Sequence, residues 1–121
     1  MNSPIRVWGV PFAPVTRLEA AEQVDSLVAS RTPSYFITAN THYAMLTRDH
    51  PDLAEINERA SFILADGAPV VWASRLLGTP LPERVAGSDL IFDICERGAA
   101  NGYRVFLLGG GDGVGDAAAQ K

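Results

Sequence analysis

The sequence has little of what marks several broad protein classes. It carries one cysteine, Cys95, in 121 residues, so no disulfide can form within the chain and a disulfide-stapled miniature fold is excluded. A lone cysteine fits a reducing compartment. No block of like charge occurs, and ten Lys and Arg against fourteen Asp and Glu leave a net charge of −4. That argues against a nucleic-acid binder, whose footprint is a basic stripe. No apolar run approaches the ~18 residues of a membrane-spanning helix. The start, Met1-Asn2-Ser3-Pro4, lacks the charged segment and apolar core of a secretory signal. Repeats and low-complexity segments are absent. The two histidines, His42 and His50, have no Cys or carboxylate at ligand spacing, so no metal site is predicted.

What is present describes a folding chain. Hydrophobic residues make up 47% and charged residues 20%, which suits a globular protein. The length suits one α/β domain over residues 1–121. Ile5–Val10 reads as a short edge strand or hairpin arm, stopped by Pro11 and Pro14. Thr16-Arg17-Leu18-Glu19 fits a capping box that opens a helix ending near Arg31. Ser34–Ala39 is rich in aromatic and β-branched residues and predicts a strand. Two short helices follow, His42–Arg48 and one restarted by Pro51 and running to Arg59.

Phe62-Ile63-Leu64-Ala65 is apolar at four successive positions, the pattern of a strand buried on both faces. Asp66-Gly67 ends it. The next helix holds Pro69 in its first turn and ends at Gly78. Its apolar residues lie on more than one face, so it is expected to be well buried, with Trp72 packed rather than stacking. Glu83–Gly87 is a loop. Ser88 is placed to cap a helix with Leu90, Ile91, Ile94 and Cys95 on its inner face and Gly102 at its end. Tyr103–Leu108 predicts a further strand, Gly109-Gly110-Gly111 a tight turn, and Val114–Lys121 a last helix. This alternation of strands and helices points to an α/β fold, a parallel sheet with helices on both faces.

Parallel strands joined by right-handed crossovers present their carboxyl ends on one edge of the sheet, which is where ligands bind in open α/β sheets. That edge would carry Thr38, Asn40, Asp66 and the glycine turn Gly109–Gly111. A hydroxyl, an amide, a carboxylate and a turn opening a helix suit a polyhydroxylated ligand bearing phosphate. Asp66 is placed to accept a proton. Plainer readings stand beside these. Asp66 has the spacing of a helix cap as much as of a base. Thr38 and Asn40 taken singly are ordinary strand and turn residues, and Arg84 is an anion clamp or a solvated surface residue. The glycines fit neither a dinucleotide fingerprint nor a P-loop, because Val114 stands at the sixth position and no Lys-Ser or Lys-Thr pair follows.

Four segments then stand in order: Thr38-Ala39-Asn40, Ala65-Asp66-Gly67 leading into Val70-Val71, Glu83-Arg84-Val85-Ala86-Gly87-Ser88-Asp89-Leu90, and Phe106-Leu107-Leu108-Gly109-Gly110. Together they resemble the amino-terminal half of the WecG/TagA/CpsF glycosyltransferases, glycosyltransferase family 26. The resemblance implies a Rossmann-like domain and an inverting, metal-independent transfer that needs no cofactor. The donor would be a UDP-sugar such as UDP-N-acetylmannosamine. The acceptor would be N-acetylglucosamine on undecaprenyl diphosphate, in teichoic acid, common-antigen or exopolysaccharide synthesis. It implies Asp66 as general base, Thr38 and Asn40 near the sugar, Arg84 near the diphosphate and Gly109–Gly111 at the nucleotide end. It also implies a cytoplasmic protein peripheral to the inner face of the bacterial membrane, with a homo-oligomer left open. The family's later strands, active-site glutamine, uridine contacts and basic tail have no counterpart here, so the chain is expected to be a truncated form. A nucleotide-binding module without catalysis, or an inactive fragment, is the alternative.

Overall fold

The computed structural model describes residues 3–108 and 111–120. The first element is a hairpin of β1 (Ile5–Val7) and β2 (Val10–Phe12), paired antiparallel with Val7 opposite Val10. Trp8 and Gly9 form the two-residue turn, both at positive φ (52° and 82°), as the twist of a tight hairpin requires. The sequence predicted one arm stopped by Pro11, but Pro11 lies within β2, opposite Arg6. Ladder bonds alternate along an antiparallel pair, and Arg6–Pro11 falls on the pair that exchanges none, so the missing N–H is tolerated.

Helix α1 (Arg17–Ser30) starts from the predicted capping box, with the Thr16 hydroxyl accepting the Glu19 N–H and Glu19 accepting the Thr16 N–H. Strand β3 (Ile37–Ala39) leads into α2 (Thr41–Asp49), and α3 (Pro51–Arg59) follows with Pro51 in its first turn. Strand β4 (Ile63–Ala65) pairs parallel with β3, with Thr38 opposite Leu64 and Ala39 opposite Ala65. Helix α4 (Ala68–Leu76) and helix α5 (Gly87–Asn101) complete the body, and the short α6 (Val114–Ala119) ends it.

Successive residues of a strand point to opposite faces, and β4 uses both for core. Ile63 and Ala65 join Val7, Val10, Phe12, Ala44, Val70 and Val71 in one cluster beneath the hairpin, α2 and α4. Phe62 and Leu64 join Ala20, Ala21, Val24, Val85 and Leu90 in a second cluster beneath α1 and α5. The parallel pair is thus covered by helices on both faces, as its apolar run predicted. The architecture is mixed α/β: one two-stranded antiparallel sheet and one two-stranded parallel sheet among the described residues.

Four expectations need correction. Tyr103–Leu108 forms no strand. Its first residue is tied elsewhere: the Tyr103 N–H donates to the Gly98 carbonyl at 3.0 Å and its hydroxyl to Asp25 at 2.7 Å. Val105, Phe106 and Leu108 are left exposed. Cys95 is exposed rather than buried, because α5 meets α1 along Leu90 and Ile94. Helix α4 buries Val70, Val71 and Ser74 but leaves Trp72 and Leu76 exposed, so it is covered on one side. Ser88 does not cap α5. The cap position is Ala86, without a side-chain bond.

Ion pairs fasten α5 across α1. Arg17 holds Asp93, with one bond of 2.8 Å, and Arg97 meets Asp25 beside Tyr103. The Tyr103 hydroxyl, aided by Arg97, holds the Asp25 carboxyl below its ordinary range. The Arg17 guanidinium does the same for Asp93, and the Thr16 backbone N–H does it for Glu19. A carboxyl depressed in the folded state stabilises the fold above its unfolded value of about 3.9–4.3 and loses that contribution as pH falls through the lower folded value. Urea unfolding at a series of pH values is therefore expected to show a midpoint that drops below about pH 4. In Asp25→Asn that acid dependence should be shallower.

Candidate functional site

The register of β3 and β4 places their carboxyl ends side by side. Ala39 faces Ala65, so the next residues, Asn40 and Asp66, leave the sheet together. The Asp66 N–H donates to the Ala39 carbonyl at 3.0 Å, continuing the ladder by one bond. Gly67 turns the chain away at φ 152° and ψ 140°, a region open essentially to glycine alone. Thr38, Asn40 and Asp66 therefore share one edge, as the parallel arrangement predicted.

Asn40 is a helix cap. Its Oδ1 accepts the Tyr43 N–H at 2.9 Å, which leaves the Nδ2 group as its remaining donor. Asp66 does not cap α4, whose cap position is Gly67 without a side-chain bond. Its Oδ2 instead accepts the Gly87 N–H of α5 at 3.3 Å. The carboxylate, half-buried, thus lies between the sheet edge and the first turn of a fifteen-residue helix. Acceptors there satisfy N–H groups that have no partner within the helix.

The loop before α5 is strapped down on either side of Arg84. The Leu81 N–H donates to the buried Ser74 hydroxyl at 2.9 Å, and the Val85 N–H donates to the Ala65 carbonyl at 2.8 Å. Leu81 and Val85 are buried, whereas Arg84 is exposed. Glu83 is already engaged, accepting the Arg17 N–H at 2.8 Å. Among the described residues no carboxylate pairs with Arg84, and its guanidinium faces solvent one residue from the strap that crosses the end of β4.

Gly109 and Gly110 lie outside the described residues. Gly111 is exposed ahead of α6, where its carbonyl accepts the Val114 N–H at 3.2 Å. The structure thus joins Thr38, Asn40 and Asp66, sets Arg84 beside the end of β4, and forms no hydrogen bond from Gly111 to that group. The residue that sequence reading passed over is Gly87, which has no role there beyond ending a loop and standing in one of the four segments. A glycine at the start of a helix, in the same stretch as Arg84, was the available signal.

Among the described residues no helix is long and apolar enough to cross a membrane, and no group of three or more His, Cys, Asp or Glu side chains gathers. A half-buried carboxylate and hydroxyl beside an exposed amide and guanidinium, around one sheet edge, are groups that can bind and deprotonate a sugar alcohol beside a phosphate.

Two relatives from Staphylococcus aureus, strains MRSA252 and NCTC 8325 / PS 47, are both named N-acetylglucosaminyldiphosphoundecaprenol N-acetyl-beta-D-mannosaminyltransferase. They are 33% and 32% identical to this chain over 119 residues. Each match covers 97% of the chain and 47% of the relative, so the chain spans about half the length of the curated relatives it matches. The profile of the Glycosyl transferase WecG/TagA/CpsF family matches residues 5–121, and the chain belongs to that family.

Proposed function

We propose that this chain is the acceptor-activating part of an inverting, metal-independent glycosyltransferase. In this reading it transfers N-acetylmannosamine or a close relative from a UDP-sugar to N-acetylglucosamine on undecaprenyl diphosphate, in surface-polysaccharide synthesis. The observation that carries the reading is the placement of Asp66 beside Asn40 and Thr38 at the carboxyl edge of the β3–β4 pair. The names of the Staphylococcus aureus relatives supply the sugar and the lipid-linked acceptor.

The chemistry is a single displacement. The acceptor hydroxyl attacks the anomeric carbon of the donor, and its proton passes to the Asp66 carboxylate. The bond from that carbon to the UDP oxygen breaks with inversion, and UDP leaves as the anion. Arg84 meets the charge growing on the diphosphate, as a positioned cation does for a leaving phosphate. Thr38 and the Asn40 Nδ2 hold sugar hydroxyls. Gly109–Gly111 contribute backbone N–H groups at the nucleotide. The protein works peripherally at the inner face of the membrane, where the lipid acceptor lies. In the same reading the parallel β3–β4 pair belongs to a Rossmann-like sheet.

The test joins residues 1–121 to the carboxy-terminal half of a Staphylococcus aureus relative and follows UDP release from UDP-N-acetylmannosamine with and without the lipid acceptor. Acceptor-dependent release is expected, lowered about 10²-fold by Arg84→Ala, the scale on which one charge-stabilising donor acts. Release that ignores the acceptor would end the transferase reading. Full turnover in Arg84→Ala would remove that side chain from the diphosphate.

A further inference from the structure

Gly87 sits at the first position of α5, in the interior of the motif and not in a turn. Its backbone does not take a conformation reserved for glycine, since no positive φ occurs there. Glycine is a poor helix former, so backbone geometry gives no reason for it at this position. The surroundings give two. A Cβ built on Gly87 would stand 3.1 Å from Thr38 Oγ1 and 3.3 Å from Thr38 Cγ2, closer than side chains normally approach. The Gly87 N–H donates to Asp66 Oδ2 at 3.3 Å.

One residue thus meets two side chains of the proposed site, Thr38 and Asp66. Thr38 and Leu64 are partners in register and share the face covered by α5, so the first turn of α5 closes over Thr38 while its N–H reaches across to Asp66. We infer that Gly87 is a positioning residue for transfer: its N–H fixes the Asp66 carboxylate, and the space of its absent side chain is where the Thr38 side chain rests. The inference rests on the proposed role of Asp66 as base. It assigns to Gly87 no contact with the sugar.

Two substitutions separate the parts. Gly87→Pro deletes the N–H, and proline is at home at the first position of a helix. Ala86, at φ −78° and ψ 134°, already has the extended conformation that precedes proline. Gly87→Ala keeps the N–H, adds only the Cβ, and is the steric control. In the fused transferase described above, kcat is expected to fall several-fold in Gly87→Ala and about tenfold further in Gly87→Pro. The donor KM should change less than twofold in both, and both should unfold thermally as cooperatively as the parent. Equal kcat in the two variants, or a loss seen in KM with kcat unchanged, would overturn the inference. Asp66→Asn run in parallel keeps the two ideas apart: if it is inactive while Gly87→Pro matches Gly87→Ala, the base stands and the positioning role fails. A second arm uses the 121-residue chain alone, in which the Gly87 amide resonance should move strongly in Asp66→Ala. A Gly87 amide indifferent to that substitution also overturns the inference.

Discussion

Asp66→Asn is expected to lower sugar transfer by roughly 10²–10⁴-fold while UDP binding stays close to that of the parent, the range lost when a positioned general base is removed. The argument depends on what the substitution keeps. Asparagine has the shape of aspartate, and its Oδ1 still accepts the Gly87 N–H that the carboxylate accepts at 3.3 Å. The α5 start and the Gly67 turn should therefore survive, and what disappears is the ability to take a proton. Asp66→Ala differs, because it also strands the Gly87 N–H, at a cost of about 1 kcal/mol for a lost hydrogen bond at a half-buried position. The pair distinguishes a base from an anchor. If Asp66 serves only to hold α5, Asp66→Asn transfers sugar normally and the defect of Asp66→Ala is one of thermal stability. Turnover measured by UDP release, beside UDP affinity measured by calorimetry, reads both outcomes.

The same residue shows how far the sequence could be read. Features held by neighbours in the chain were legible: the Thr16–Glu19 capping box, Pro51 in the first turn of α3, Gly102 at the end of α5 with φ 73°. The two-faced burial of β4 was legible from four apolar residues in succession, and with it the shared edge of Asn40 and Asp66. What failed depended on partners far away in sequence. Tyr103–Leu108 has the composition of a strand, but a strand is a relation between two segments. Here Asp25, seventy-eight residues before Tyr103, holds the segment's first residue against α1 and α5. Ser88 has the identity of a cap, yet the N–H beside it is satisfied by Asp66 from twenty-one residues away. Asp66 was weighed as a cap for the helix that follows it, and it serves instead the helix after that. No local pattern encodes that choice, because it is made by the loop from Leu81 to Val85 folding back onto β4.

Leu64→Ala carries the largest expected cost to stability and reaches the site as well. Leu64 is fully buried, at 0% exposure. It packs with Val15, Ala20, Ala21, Val24, Val85 and Leu90, which come from the segment before α1, from α1 itself, from the strapped loop and from α5. Truncation removes the apolar burial of three carbons and leaves a cavity whose walls relax only in part. Substitutions of this kind cost about 2–5 kcal/mol, a large share of the roughly 5–15 kcal/mol that holds a domain together. Leu64 also lies beside Thr38 in register, on the face covered by α5, so α5 can settle into the vacated space and draw Gly87 away from Asp66. Urea unfolding should show the lost stability directly. Leu64→Met, nearly equal in volume, should lose less than about 1.5 kcal/mol. Leu76→Ala removes a leucine that is 90% exposed and should stay within about 0.5 kcal/mol of the parent, as surface substitutions do. A Leu64→Ala chain as stable as Leu76→Ala would mean that β4 is not the strand on which both clusters rest, and the edge that carries Asp66 would lose its support.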